Sequence, residues 1–349
     1  MEPIKVLIVD DSAVVRMGIR KMLMTDPDIR VVGEAVNGAD ALAKQPQLLP
    51  DVITMDVSMP VMNGLETTER IMATRPVPIL IVTGLDTADL AFEAIGRGAM
   101  EILGKAEINP ENAREFIRKI KTLSQIKKVR NPLDVRVHCA LPTPSNPVTG
   151  GHALDWIIAT ASATGGTQAL ALLLDGLGKD WRTPIVVAHH SHPELVHKFV
   201  EWLNKTTPLT VCVAEAQQTL LPGHVYVSPA DRNLEISSLG RLLLQPIPPR
   251  DGIDHPSCNA LLSSVVSRYG AQSIGVILTG MGEDGVLGAK AIKAAGGHVI
   301  AQDEATSVAY GMARAAVQQG CVDDELPIQA IADRIRALVD RRRVPRVST

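Results

Sequence analysis

Short apolar segments alternate with helix-like segments along most of the chain, and this alternation restricts the fold more than any other feature. In the first third, the apolar runs occupy residues 5–9, 52–55, 79–82 and 99–103. Further along, comparable runs occupy residues 156–159, 184–188, 273–278 and 298–301. Strands that alternate with helices in this way form parallel sheets with helices on both faces. We therefore predict an α/β protein built from doubly wound parallel sheets.

Two segments between these runs are predicted to be shorter strands. They span residues 225–228 and 242–245, and the sequence leaves open whether they pair antiparallel to their neighbours. Residues 194–203 are predicted to form a helix.

The length of the chain and one unusual segment indicate two domains. At 349 residues the chain exceeds what a single hydrophobic core usually organises. Residues 125–152 contain four prolines and a glycine pair without a periodic apolar pattern, which is typical of an interdomain linker. We therefore assign residues 1–124 and 153–349 to two separate domains.

The composition argues against several classes of function. Hydrophobic residues make up 46% of the chain and charged residues 21%, as in globular proteins. The net charge is −3 and no basic patch with interleaved aromatic residues is present, so we expect no nucleic-acid partner. No apolar run is long enough to span a membrane, and residues 1–5 do not resemble a signal peptide, so we expect no membrane insertion. Four scattered cysteines fit a reducing, cytoplasmic setting.

Polar side chains follow four of the apolar runs in the N-terminal domain. They are Asp10 and Asp11, Asp56, Thr83 and Lys105. A single aspartate at such a position is usually a helix cap, but the carboxyl ends of parallel strands share one edge, so these side chains should converge. Three clustered carboxylates need a hard cation, and Mg²⁺ is the expected one. Asp56 is then the predicted phosphoacceptor, and Thr83 and Lys105 hold the phosphoryl oxygens.

The N-terminal domain resembles the receiver domains of response regulators. The resemblance rests on the acidic pair, the segment 55–64, and the threonine and lysine after the later strands. It implies a flavodoxin-like fold with a five-stranded doubly wound parallel sheet, and phosphorylation of Asp56 by a histidine kinase. Two positions depart from the usual receiver pattern. Ala106 stands where a proline usually follows the lysine, and Ile102 stands where an aromatic residue is usual.

In the C-terminal domain, residues 160–167 predict a strand, a tight glycine turn and the start of a helix. Such a turn exposes a side chain at the sheet edge and directs free backbone N–H groups towards a ligand. It suits a nucleophilic serine with an oxyanion hole or a phosphate cradle. It is also compatible with an ordinary connection between a strand and a helix.

Three predicted strand ends in this domain carry residues with catalytic chemistry. They are the turn with Ser162, the strand end with His190, and the loop 280–285 with Asp284. If these ends share one sheet edge, the three side chains can meet. The imidazole would then take a proton from the serine hydroxyl, and the carboxylate would orient the ring.

Two other interpretations of these residues are possible. The glycines of the loop 280–285, with Asp303 about twenty residues on, match the dinucleotide-binding fingerprint. Two acidic residues within that loop would repel a pyrophosphate. Alternatively, His190, His192 and Asp284 could bind a metal, but no further residue has recognisable ligand spacing.

The C-terminal domain resembles the catalytic domain of the chemotaxis methylesterases of the CheB family. The shared motifs lie at residues 164–167, 190, 221–224, 255–257, 278–285 and 300–302. The resemblance implies a Rossmann-like α/β fold without a cofactor, with His190 as base and Asp284 as its partner. It also implies oxyanion donors at the backbone N–H groups of Thr164 and Met281. The implied reaction is hydrolysis of glutamyl methyl esters, and often deamidation of glutamines, on chemoreceptors, controlled by a chemotaxis histidine kinase.

The serine does not stand at the family's position. The family motif is Gly-Ala-Ser-Thr-Gly-Gly, which places Ala163 where the serine belongs and Ser162 one residue earlier. His189 replaces a glutamine, and Asn259 replaces an acidic residue. A shift by one residue in an extended segment turns a side chain to the opposite face. Ser162 would therefore point away from His190 unless the turn holds an extra residue.

Two hypotheses follow from this pattern. In the first, the protein is a phosphorylation-controlled methylesterase that uses Ser162, and the receiver inhibits the esterase site until Asp56 is phosphorylated. In the second, it is a catalytically silent relative that acts as a phosphorylation-regulated binding module or a phosphate sink. The position of the Ser162 hydroxyl relative to His190 separates the two.

Overall fold

The structure is a computed structural model that describes residues 2–126, 155–247 and 256–341. The chain divides into two compact units, Met1–Thr143 and Pro144–Thr349, which we describe separately. Most of the proposed linker lies outside the described residues, and so does His255 of the 255–257 motif. The assigned domain boundaries therefore stay predictions.

The N-terminal unit is a five-stranded parallel sheet with helices on both faces. Its strands are β1 (Ile4–Val9), β2 (Ile29–Ala35), β3 (Val52–Met55), β4 (Ile79–Thr83) and β5 (Glu101–Gly104). Its helices are α1 (Ala13–Leu23), α2 (Gly38–Leu48), α3 (Gly64–Thr74), α4 (Ala88–Gly96) and α5 (Ala113–Ser124). The strand order is β2-β1-β3-β4-β5, which confirms the predicted receiver fold.

The burial pattern explains why some strands could be predicted from the sequence and others could not. All four residues of β3 and all five of β4 are buried, because helices cover both faces of a parallel sheet. Such strands read as continuous apolar runs. The edge strand β2 has only its first and last residues buried, so no apolar run marked it in the sequence. The order of the strands reverses between β1 and β3, where ligands bind in open parallel sheets.

The C-terminal unit is built on a seven-stranded parallel sheet and a separate antiparallel hairpin. Its strands are β6 (Ile157–Ser162), β7 (Ile185–His189), β8 (Thr210–Val213), β9 (His224–Val227), β10 (Arg232–Ile236), β11 (Leu242–Pro246), β12 (Ser273–Ile277), β13 (His298–Gln302) and β14 (Asp324–Leu326). Its helices are α6 (Gly166–Leu177), α7 (Val196–Thr206), α8 (Cys258–Ser264), α9 (Val266–Tyr269), α10 (Val286–Ala294), α11 (Met312–Gln318) and α12 (Ile328–Arg341). The order in the large sheet is β14-β13-β12-β6-β7-β9-β8.

The two short predicted strands, residues 225–228 and 242–245, differ in their pairing direction, and only the second is antiparallel. β11 pairs antiparallel with β10, whereas β9 runs parallel to both β7 and β8. Three of the four residues of β9 are buried, as expected of an interior parallel strand.

The central strand β6 lies at the point where the chain changes direction across the large sheet. Strands that follow β6 directly lie on one side of it, and β12 to β14 lie on the other. This is a topological switch point, where a crevice forms beyond the carboxyl ends of the strands. No helix among the described residues is long and apolar enough to cross a membrane.

Candidate active site and phosphoacceptor site

The predicted receiver residues come together beyond the carboxyl ends of β1, β3 and β5. The Lys105 ammonium lies 2.9 Å from Asp56 Oδ2 and 3.0 Å from Asp10 Oδ2. One carboxylate oxygen from each of Asp10, Asp11 and Asp56 lies within 4.8 Å of the others. Asp10 and Asp56 are almost fully buried, at 0% and 2% exposure. Two buried carboxylates therefore share one ammonium, which leaves negative charge for a cation to balance.

The electrostatics of Asp56 fit a site that binds a divalent cation. Burial is the largest influence and raises the pKa of Asp56, the hydrogen bond from Lys105 opposes it, and the charge of Asp10 adds to it. Asp10 Oδ2 lies 3.0 Å from the Lys105 ammonium but accepts no hydrogen bond of good geometry. This oxygen therefore has a lone pair available for a ligand. A hard cation bound by oxygen ligands would favour the ionised form of Asp56.

Thr83 ends β4 at the same edge, but its hydroxyl has other partners. It lies 2.8 Å from the hydroxyl of Thr87 and 3.2 Å from the carbonyl oxygen of Gly84. The contact between Thr83 and a phosphoryl group stays a prediction.

Ser162 and His189 occupy facing positions on β6 and β7, and their side chains lie on the same face of the sheet. The Ser162 hydroxyl lies 3.0 Å from His189 Nδ1, and Thr167 Oγ1 lies 3.4 Å from His189 Nε2. The imidazole also packs against Phe199 of α7, with ring centroids 5.1 Å apart. Ser162 is 0% exposed and His189 is 3% exposed. The serine hydroxyl is therefore directed into packed protein, towards His189.

His190 belongs to the opposite face of the sheet. Its Nε2 atom lies 3.1 Å from Asp284 Oδ2 and 3.5 Å from the sulfur of Cys258. Cys258 belongs to the apolar cluster that includes Ala161 and Ala163, so Ala163 shares the face of His190. The structure thus agrees with the expected effect of the one-residue shift, and it argues against attack by Ser162 in this conformation.

Asp284 is held by a dense set of hydrogen bonds. Its carboxylate accepts from the backbone N–H groups of Cys258 (2.7 Å) and Asn259 (2.9 Å) and from the Ser257 hydroxyl (3.3 Å). Burial opposes ionisation, but the hydrogen bonds from His190 and from these N–H groups outweigh it and lower the pKa of Asp284. Asp284 is therefore an ionised partner for His190 at neutral pH.

Asn259 has a positioning role that the sequence did not reveal. Its side-chain oxygen accepts hydrogen bonds from the N–H groups of Gly285 (2.9 Å) and Gly288 (3.1 Å). Asn259 thereby ties the start of α8 to the start of α10, the two segments that flank Asp284. The amide oxygen accepts these hydrogen bonds without adding a second negative charge beside the carboxylate.

The expected oxyanion donors lie where two loops approach closely. A Cβ atom on Gly280 would lie 2.9 Å from the Cβ of Ala163. Thr164 and Met281 are the next residues in these two loops. Gly165 follows with φ of 77° and is the N-cap of α6, whose N-terminal end favours negative charge. The donor roles of Thr164 and Met281 stay predictions.

His192 has a local partner that the alternative metal site did not anticipate. Its Nδ1 atom accepts a hydrogen bond from the N–H of Glu194 at 3.4 Å, at the start of a short 3₁₀ helix. The described cluster of possible ligands at this edge consists of His190, Cys258 and Asp284.

Comparison with known proteins finds matches over both units. Residues 158–335 match the CheB methylesterase model, and residues 6–118 match the response regulator receiver domain model. Protein-glutamate methylesterase/protein-glutamine glutaminase 3 of Paramagnetospirillum magneticum is 39% identical over 335 residues, 94% of each chain. Protein-glutamate methylesterase/protein-glutamine glutaminase 4 of Geobacter metallireducens is 38% identical over 351 residues, covering 96% of this chain and 99% of that one.

A solved structure also resembles the C-terminal unit. The CheB methylesterase catalytic domain of Thermotoga maritima has 33% sequence identity and a TM-score of 0.50. It covers 55% of this chain and 100% of its own.

Proposed function

The chain belongs to the CheB methylesterase family and carries a response regulator receiver domain, and on this premise we propose how its site works. The family supports a chemotaxis response regulator with methylesterase function, so the silent-module hypothesis is not favoured. We propose that phosphorylation of Asp56 controls hydrolysis of glutamyl methyl esters on chemoreceptors, with His190 and Asp284 as the catalytic pair. The observation that carries this proposal is the 3.1 Å contact between His190 and ionised Asp284 on the face of Ala163.

The proposed nucleophile is a water molecule next to Ala163. A serine at this position would carry a hydroxyl that the alanine methyl group lacks, and a water can take its place beside His190. The Ser162 hydroxyl is buried against His189 on the other face, so it does not compete for His190. Ser162 acting as nucleophile after a change of conformation is the alternative that the variants below test.

The ionised state of Asp284 assigns the proton positions on His190. An ionised carboxylate can only accept a hydrogen bond, so Nε2 is assigned the proton that faces Asp284 Oδ2 at 3.1 Å, and Nδ1 has the lone pair that makes it the base. Nδ1 takes a proton from the water as the oxygen attacks the ester carbonyl carbon. Asp284 stabilises the imidazolium that forms.

The tetrahedral intermediate then collapses with the same groups in reversed roles. Its negative oxygen accepts hydrogen bonds from the N–H groups near Thr164 and Met281. The C–O bond to the methoxy group breaks, and the His190 imidazolium returns its proton to the leaving oxygen. The products are methanol and the glutamate carboxylate, whose own proton goes to solvent. Deamidation of glutamine would follow the same steps with ammonia as the leaving group.

The receiver residues supply the control. We propose that Asp10, Asp11 and Asp56 hold Mg²⁺, which neutralises the charge of the incoming phosphoryl group. A histidine kinase is the proposed phosphodonor, and the cytoplasm is the proposed location of the reaction. We further propose that the unphosphorylated receiver inhibits the esterase unit and that phosphorylation relieves this inhibition.

The test is release of methanol from a methylated receptor by the full-length protein, with and without a small phosphodonor. His190→Ala should lower the phosphorylated rate by about 100-fold or more, because it removes the base. His197→Ala, an exposed histidine on α7, is the matched control and should keep the full rate. A His190→Ala protein that matches wild type would refute the proposed chemistry.

A further inference from the structure

His190, Cys258 and Asp284 form a compact group of three different ligand types. The His190 Nε2 atom lies 3.1 Å from Asp284 Oδ2 and 3.5 Å from Cys258 Sγ. The three ligand atoms all lie within 4.8 Å of one another. The proposed hydrolysis uses the histidine and the carboxylate but gives the thiol no role.

The spacing of these atoms matches the edges of a tetrahedral zinc site. With ordinary zinc–nitrogen, zinc–oxygen and zinc–sulfur bond lengths, ligand atoms about 3.3 Å (nitrogen to oxygen) and about 3.6 Å (nitrogen to sulfur) apart are expected. The observed separations of 3.1 and 3.5 Å are close to both values. A metal could therefore enter between the three side chains with small adjustments.

The surroundings hold the ligands in place. Backbone N–H groups of Cys258 and Asn259 fix the Asp284 carboxylate at 2.7 and 2.9 Å, and hydrogen bonds that orient a ligand strengthen a metal site. Cys258 is the first residue of α8 and is fully buried. The side chains of His190 and Asp284 keep 12% and 25% exposure.

We propose that His190, Cys258 and Asp284 bind Zn²⁺ through one imidazole nitrogen, one thiolate and one carboxylate oxygen, with a water in the fourth position. This donor set favours zinc over Mg²⁺, which prefers oxygen ligands. The thiol loses its proton on binding. Binding therefore releases a proton, and the site binds zinc more tightly as the pH rises.

Zinc at this place inhibits the hydrolysis, a consequence that rests on the proposed function. The metal takes the Nε2 lone pair, which leaves the proton of the neutral imidazole on Nδ1. Nδ1 then has no lone pair with which to accept a proton from water. The metal also takes the Asp284 oxygen that stabilises the imidazolium.

The binding test uses Co²⁺ as a spectroscopic substitute for zinc on the full-length protein. Excess Mg²⁺ occupies the oxygen ligands of the receiver site. We expect a thiolate-to-cobalt charge-transfer band that Zn²⁺ abolishes. The band should disappear in Cys258→Ser and persist in Cys212→Ser, the matched control. Zinc affinity should fall by more than about 100-fold in Cys258→Ser, beyond the usual effect of losing a group that only orients a ligand.

The outcomes of this test do not depend on esterase activity. A missing band in wild-type protein, or a band unchanged in Cys258→Ser, would overturn the metal site. If Cys258→Ser fails to fold, His190→Gln gives the same comparison, because it removes the nitrogen ligand and leaves the thiol.

A second measurement tests the inhibition. The esterase rate is measured with and without Zn²⁺, and each variant is compared with its own metal-free rate. Wild type and Cys212→Ser should lose most of their rate, whereas Cys258→Ser should be resistant. Equal inhibition of all three proteins would refute inhibition through this site. An inactive wild-type protein that still binds Co²⁺ would refute the proposed function and leave the metal site standing.

Discussion

The receiver site and the esterase site are built by the same device and differ in one respect. Both place polar side chains beyond the carboxyl ends of parallel strands, at a point where the strand order reverses. In the receiver, Asp10, Asp56 and Lys105 follow their strands and meet. In the esterase unit, Ser162 is the last residue within its strand, and it meets His189 instead of His190.

The difference shows which property of a residue decides its contacts. The face of the sheet to which its side chain points (its strand parity) matters more than nearness in sequence. Side chains alternate between the faces of a strand, so a shift of one residue changes all the contacts of a side chain. A residue that lies beyond the strand escapes this alternation and can turn towards the edge. Four predictions test this comparison, from the largest expected effect to the smallest.

The largest effect is expected at the receiver site. Asp56→Asn should abolish labelling by a small phosphodonor in the presence of Mg²⁺, because an amide is not a nucleophile for the phosphoryl group. Asp86→Asn, at an exposed aspartate in the loop after β4, should label as wild type does. Labelling of Asp56→Asn at the wild-type level would show that Asp56 is not the phosphoacceptor, although it lies where the polar strand-end residues converge.

A gain of function is expected where the esterase site departs from the family. Ala163→Ser should raise the esterase rate by about 100-fold or more, because it places a hydroxyl on the face of the His190 base. The measurement is methanol release from a methylated receptor by the phosphorylated protein.

Ser162→Ala is the companion to this variant and should leave the rate nearly unchanged. If Ala163→Ser changes little while Ser162→Ala loses most of the activity, strand parity does not decide the nucleophile. Ser162 would then act through a conformation different from the one described.

Ser162→Ala should instead cost stability. It removes the buried hydrogen bond between the Ser162 hydroxyl and His189 Nδ1, and the loss of one such bond costs about 0.5–1.5 kcal/mol. Chemical denaturation of the esterase transition measures the loss, and Ser237→Ala serves as a control at a serine outside this network. A Ser162→Ala protein as stable as wild type would indicate that Ser162 and His189 are not a structural pair.

The smallest effects are expected from the opposite pKa shifts of the two site aspartates. The folded-state pKa of Asp284 is lowered, so its contribution to stability is present above the unfolded pKa and is lost as pH falls through the folded value. The folded-state pKa of Asp56 is raised, so ionised Asp56 destabilises the fold at neutral pH, and the penalty disappears in acid.

Thermal melts at neutral pH without Mg²⁺ test these signs. Asp56→Asn should raise the melting temperature of the receiver transition, and Asp284→Asn should lower that of the esterase transition. Below the unfolded pKa of aspartate, both differences should shrink. Shifts of the same sign for the two variants at neutral pH would contradict the different environments of the carboxylates.

Much of the fold and of the receiver site could be predicted from the sequence. Interior strands such as β3 and β4 are apolar throughout because both of their faces are covered. Asp10, Asp56 and Lys105 follow parallel strands of this sheet and therefore had to meet at one edge. The edge strand β2 and the parallel direction of β9 escaped prediction, because partial burial and pairing direction depend on neighbours distant in sequence.

In the esterase unit, the sequence by itself determined that the serine was displaced by one residue from the family's position. Only the tertiary structure decided what this displacement means. It paired Ser162 with His189, and it brought Cys258, 68 residues further along the chain, to His190. Neither contact has a local signal, because each depends on how β6 and β7 align in register and on which helix covers which face. Local patterns determine where strands and turns occur, whereas packing between distant segments decides which side chains meet.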